Sequence, residues 1–135
     1  MDRRRFLESG SLALLLPLAG AGSAKAVPRG RLLPPPLNKG DTVALVSPSS
    51  AMDEPFDLQL AAEAMQALGF KVKTGEHYGN RYGHLAGSDA ERAGDLNAMF
   101  ADKQVKGIIC ARGGSGAARL LPLLGYEVIR PNPKG

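Results

Sequence analysis

Between residues 40 and 124, short apolar runs alternate with segments of helical periodicity, and this alternation constrains the fold more than any other feature. Gly40-Asp41 leads into Thr42-Val43-Ala44-Leu45-Val46-Ser47. The run has no polar alternation, so it reads as a strand buried on both faces. Ser47-Pro48-Ser49-Ser50 turns the chain, because proline cannot continue a central strand. Phe56, Leu60, Ala61, Ala64, Ala67 and Leu68 then recur at helical spacing. Asp53 is a candidate cap for that helix, and Gly69 ends it by tolerating a left-handed backbone. Phe70-Lys71-Val72-Lys73 alternates as a short second strand.

A Gly-rich loop runs from Gly75 to Gly87. Ser88-Asp89-Ala90-Glu91 has the form of a capping box, in which Ser88 accepts from the third helical amide and Glu91 reaches back. The helix it opens carries Ala93, Leu96, Met99 and Phe100 on one face. Val105 to Cys110 is a third apolar strand, and Ala111-Arg112-Gly113-Gly114-Ser115-Gly116 is a tight turn. Ala117, Leu120, Leu121 and Leu124 mark a third helix. The order predicts an α/β fold, a parallel sheet of about three strands with flanking helices and right-handed crossovers. Ligands of such sheets sit beyond the carboxyl ends of the strands, where the turns Ser47–Ser50 and Arg112–Gly116 fall.

The first 26 residues read differently. Asp2-Arg3-Arg4-Arg5-Phe6-Leu7 is followed by an apolar stretch from Leu12 to Ala21 and by Ala24-Lys25-Ala26. A charged start, a short apolar middle and a small-residue exit make a secretory signal, expected to be cleaved after about Ala26. The adjacent arginines resemble the twin-arginine export signal, which implies a periplasmic destination. The apolar part is too short for a stable membrane span, which needs roughly 20 residues. Residues 27–39, with Pro34-Pro35-Pro36, read as an extended linker, leaving 40–135 as the folded domain.

Charge then excludes a class of partners. Taking the four basic and two acidic residues of 1–26 from totals of 17 and 13 leaves 13 and 11, a net of +2. That is no footprint for nucleic acid, and aromatics at 5% provide no stacking platform.

Arg112-Gly113-Gly114-Ser115-Gly116 carries the most chemical information. Its glycines let backbone N–H groups approach an oxyanion or phosphate, or simply form a tight strand–helix turn. It lacks the Gly-Lys-Ser/Thr of a Walker loop, and Arg119 stands where G-x-G-x-x-G needs its last glycine, so no nucleotide cofactor is implied. Ala117 breaks a G-x-S-x-G match around Ser115. Ser47, Ser49 and Ser50 either bind a polar ligand or satisfy their own turn. His77 and His84 read as surface loop residues with no metal-ligand partners, and Cys110 as buried and inert. Asp89, Glu91 and Asp95 read as helix capping and solvation. One cysteine leaves no internal disulfide.

Six segments belong together: Gly40 through Ser50, Leu85-Ala86-Gly87-Ser88, Arg92 through Phe100, Val105 through Gly114, Leu120 through Leu124 and Asn132-Pro133-Lys134. Taken together they resemble the LD-carboxypeptidases, the serine peptidases of murein tetrapeptide recycling, which are related to microcin immunity peptidases. The resemblance implies a flavodoxin- or amidotransferase-like N-terminal domain of a two-domain enzyme. It implies hydrolysis of the L-to-D amide, typically to a terminal D-alanine, of a peptidoglycan stem peptide by Ser, His and Glu without metal or cofactor. It places Gly114 as an oxyanion-hole amide. Ser47, Ser49, Ser50, Arg112, Gly113 and Ser115 are substrate-binding candidates from their place in the two strand-end turns. A homodimer stays open for the full-length protein. By family spacing the nucleophile lies about five residues past Gly135, so the chain is expected to be catalytically incomplete. A non-catalytic muropeptide- or anion-binding module is the competing expectation. Ser115 stands where the family often has an aromatic, Gly125 where Asp is usual, and Gly135 where a larger strand residue is expected.

Overall fold

The computed structural model describes residues 32–135. The export signal expected over 1–26 lies outside them, as does the start of the Pro-rich segment. The elements are β1 (Thr42–Val46), α1 (Pro55–Ala67), β2 (Lys71–Thr74), α2 (Asp89–Ala101), β3 (Val105–Cys110), a 3-10 helix (Ser115–Leu123) and α3 (Tyr126–Ile129). The sheet has the order β2-β1-β3, and both pairings are parallel. The strand without polar alternation is therefore the central one: Val43, Ala44, Leu45 and Val46 are all buried. Between Thr42 and Val43 the register slips, so that β3 supplies Val105 and then Gly107 as partners and Lys106 is the extra residue. Past the slip, Ala44 pairs with Ile108 and Val46 with Cys110. One side of the sheet buries Ala44, Val46 and Val105 against Met99 of α2, with Leu96 and Ile108 at the margin.

The helix termini follow local chemistry. Ser88 accepts from the Glu91 amide at 3.3 Å, and Glu91 Oε2 accepts from the Ser88 amide at 2.7 Å, closing the capping box of α2. Gly69, with φ of +94°, turns the chain out of α1. The cap expected of Asp53 is not made. Glu54 is the cap residue and bonds no amide through its side chain, while Pro55 opens the helix with no N–H to offer. Asp53 sits one residue too early, and its carboxylate goes to Arg112 instead.

Two further expectations are corrected. The third helix is a 3-10 helix, since Pro122 inside it removes a donor and blocks α-helical continuation. A short α3 then follows Gly125, whose amide donates to Asn97 Oδ1 of α2 at 2.9 Å. Cys110 is exposed, because β3 is an edge strand. Partial desolvation still pushes its thiol pKa up, which disfavours the reactive thiolate.

The free edge of β3 meets the last residues of the chain. Gly135 donates to Lys106 O at 3.0 Å and accepts from the Ile108 amide at 2.9 Å, the two bonds of a parallel bridge centred on Gly107. Lys134 Nζ supports this approach by donating to Asp102 O and Val105 O. Leu37, from the Pro-rich segment, lies against Gly107 and Gly135, where added Cβ atoms would meet it at 2.9 and 3.3 Å.

Candidate functional site

Two turns leave the carboxyl ends of adjacent strands and pack on each other. The Gly116 amide donates to Ser49 Oγ at 3.0 Å, joining the turn after β3 to the turn after β1. Gly114 has φ of +144°, and a Cβ there would fall 2.6 Å from Ser50 Oγ and 2.7 Å from Ser49 Oγ. A Cβ on Gly116 would fall 2.5 Å from Leu85 Cδ2. Only glycine fits the first position on both conformational and steric grounds.

Arg92 of α2 locks the two turns together. It is 1% exposed, so protein groups must satisfy its charge. Its Nη1 donates to Pro48 O at 2.7 Å and to Gly116 O at 3.1 Å, its Nε donates to Gly87 O at 3.1 Å, and its Nη2 pairs with Asp89. Asp89 also holds Arg119 through its second oxygen at 2.8 Å. One guanidinium therefore fixes three separate loop carbonyls in a planar fork that lysine cannot reproduce.

Gly113, Gly114 and Ser115 are exposed. Among the described residues their amides donate to no protein acceptor, whereas Gly114 O is engaged by the Ala117 amide. Ser50 Oγ, beside Gly114, likewise has no partner among the described residues. The hydroxyls of the two other serines are used by the protein itself. Ser47 Oγ donates to Tyr78 O at 2.9 Å, and Ser49 Oγ accepts from Gly116. Both residues are buried. The structure thus brings Ser50, Arg112, Gly113, Gly114 and Ser115 together at an open rim and places Ser47 and Ser49 beneath it as supports.

The rim carries charge. Arg112 Nη1 donates to Asp53 Oδ2 at 2.7 Å and to Ala51 O at 3.4 Å. The hydrogen bond from Arg112, reinforced by its charge, holds the Asp53 carboxyl below the usual carboxylate range. On the other flank, the loop after β2 is pinned by Asp95, which takes the His77 amide at 3.0 Å and the His77 ring Nδ1 at 2.8 Å. Asp95 is buried, so it is neither a cap nor a solvated surface charge, and His77 does have a carboxylate partner. The hydrogen bond to Asp95 raises the His77 pKa.

Arg92 and Asp95 escaped the sequence reading. Their signal was present: with Met99 they fall at i, i+3 and i+7, on the apolar face of α2 rather than opposite it. Among the described residues, no serine or cysteine is hydrogen-bonded to a histidine, and no three His, Cys, Asp or Glu side chains converge as metal ligands. The rim therefore offers fixed N–H donors to a carbonyl oxygen or developing oxyanion, without a nucleophile–base pair of its own.

Comparison with known proteins agrees with this geometry. The family described as LD-carboxypeptidase N-terminal domain matches residues 43–135. The probable murein peptide carboxypeptidase of Bacillus subtilis (strain 168) is 44% identical over 101 residues, which cover 75% of this chain and 31% of that protein. The murein tetrapeptide carboxypeptidase of Pseudomonas aeruginosa is 33% identical over 94 residues, covering 67% of this chain and 30% of the relative. The solved apo structure of Microcin C7 self immunity protein MccF superimposes with a TM-score of 0.72 at 31% identity, over 77% of this chain and 32% of that one. The chain spans about a third of the length of the curated relatives it matches. Sequence and fold together place this chain in the LD-carboxypeptidase family, within its N-terminal domain.

Proposed function

We propose that these residues form the oxyanion-binding rim of an exported serine-type LD-carboxypeptidase that acts on murein stem peptides. The observation that carries the reading is the exposed, unengaged amide set of Gly113, Gly114 and Ser115, held in place by Ser49 and Arg92. The scissile carbonyl of an L-to-D amide docks on the Gly114 N–H, where negative charge builds as the tetrahedral state forms. A fixed donor at that point is worth about 3–4 kcal/mol of barrier. Gly113, Ser115 and Ser50 line the approach, and Arg112 supplies positive charge beside it. The attacking hydroxyl and its Glu and His partners come, by family resemblance, from sequence outside these 135 residues. Residues 1–26 are proposed to direct export of the twin-arginine type, which places the enzyme where murein peptides lie.

The test uses the 135-residue chain labelled with ¹⁵N. A murein tetrapeptide ending in D-alanine should perturb the amides of Gly113 to Ser115 saturably and release no D-alanine. An all-L tetrapeptide should bind more weakly. Turnover by this chain, or equal binding of both stereoisomers, overturns the reading. Equal binding would instead favour a general anion- or peptide-binding module.

A further inference from the structure

We propose that Arg81 and Arg112 form a clamp for the substrate's terminal carboxylate, and that Asp53 occupies this clamp until substrate displaces it. The inference rests on the reading of the Gly113–Ser115 rim given above. Two guanidiniums converge on one carboxylate: Arg112 Nη1 lies 2.7 Å from Asp53 Oδ2, and Arg81 Nη2 lies 4.0 Å from Asp53 Oδ1. Both arginines are also tied to the backbone of the same short loop. Arg81 donates to Met52 O at 2.8 Å and Arg112 to Ala51 O at 3.4 Å. Each guanidinium thus has a backbone contact besides Asp53, and most of their five donors each remain available.

Asp53 itself is a weakly held occupant. Its side chain is 72% exposed, and exposed ion pairs are readily exchanged for another carboxylate. Its natural task as a helix cap is not performed, since α1 begins at Pro55 behind Glu54. The location matches what a carboxypeptidase must read. Ser50 lies beside Gly114, and Ala51 to Asp53 lie beside Arg112, so the two segments run alongside each other. A terminal residue separates its free carboxylate from the scissile carbonyl by roughly 3.5 Å of chain. With the carbonyl on Gly114, the carboxylate falls on the Arg112 side of the turn, and Arg112 and Arg81 can reach it there.

Binding of N-acetyl-L-lysyl-D-alanine and of its C-terminal amide to the full 135-residue chain tests the clamp. The free acid should bind better than the amide. Asp53→Asn should tighten the acid by about two- to fivefold, the range expected when an exposed pair no longer competes, and leave the amide unchanged. Arg112→Gln should abolish the preference for the acid, and Arg81→Gln should reduce it. Equal binding of acid and amide, or no effect of Asp53→Asn, overturns the clamp, as does failure of the free acid to bind at millimolar concentration. The two readings separate in the amide spectra. Saturable shifts at Gly113–Ser115 with equal affinity for the two peptides sink the clamp but keep the oxyanion rim. An Arg112-dependent preference for the acid without such shifts keeps the clamp and sinks the rim.

Discussion

Replacing Arg92 with methionine removes a guanidinium that is 1% exposed and serves Pro48 O, Gly87 O, Gly116 O and Asp89 at once. Methionine fills much of the stem volume, so packing is largely kept and the loss is polar. Each carbonyl loses a charged donor, a bond whose net worth is about 1.5–3 kcal/mol. Asp89 keeps Arg119, which softens the loss of the ion pair. Because the three bonds share one group they do not add fully, and the net cost should be about 3–5 kcal/mol. A domain of this size holds only about 5–15 kcal/mol in total. Urea unfolding followed by circular dichroism should therefore show the midpoint falling by about 2 M, with an unchanged slope. Arg92→Lys keeps the charge but not the fork and should lose roughly half as much. A midpoint for Arg92→Met within about 0.5 M of the parent would refute the claim that this side chain holds the two turns together.

Other consequences are equally direct. Gly114→Ala forces a Cβ against Ser49 and Ser50 at a φ of +144° and should cost about 1–3 kcal/mol, with loss of tetrapeptide binding; an unchanged melting temperature and unchanged affinity would contradict the turn geometry. Ser88→Ala opens the capping box of α2 and should cost about 1 kcal/mol in urea unfolding. Adding Glu91→Ala should cost less than the sum of the single changes, since both act in one box. The His77–Asp95 pair predicts a pH dependence with a defined sign. The folded pKa of His77 is raised, so its contribution to stability is fully present below about pH 6.5 and is lost as pH rises through the raised value. His77→Ala should flatten that part of the stability–pH curve, and an unaltered curve would remove the pair from the account.

The sheet was legible because β1 and β3 declare themselves by unbroken apolar runs between turn residues, and a doubly buried strand must sit at the centre of three. The capping box at Ser88 was equally plain, being a local contact within four residues. Long-range polar contacts were not legible. Ser49 meets Gly116 across 67 residues of sequence, and Arg92 meets Pro48 across 44. Nothing in local spacing signals such pairs. Asp95 read as a solvated charge because helical charges usually are, and composition did not set Arg92 apart. Their alignment with Met99 was the clue that outweighed composition. Asp53 misled for the opposite reason, since a good capping residue was placed one position too early and was drawn into an ion pair. Cys110 looked buried by its neighbours, but strand order decides exposure, and strand order is a property of the whole sheet.

Developing negative charge is to be received at the Gly114 amide, and a charged tetrahedral mimic probes that position directly. A phosphonate analogue of L-lysyl-D-alanine should bind the ¹⁵N-labelled chain at least tenfold more tightly than the parent dipeptide, as expected for a site shaped to the reacting state. The Gly114 amide proton should move furthest downfield. Equal affinity for the two compounds, with Gly113 to Ser115 unmoved, would mean that these amides receive no oxyanion.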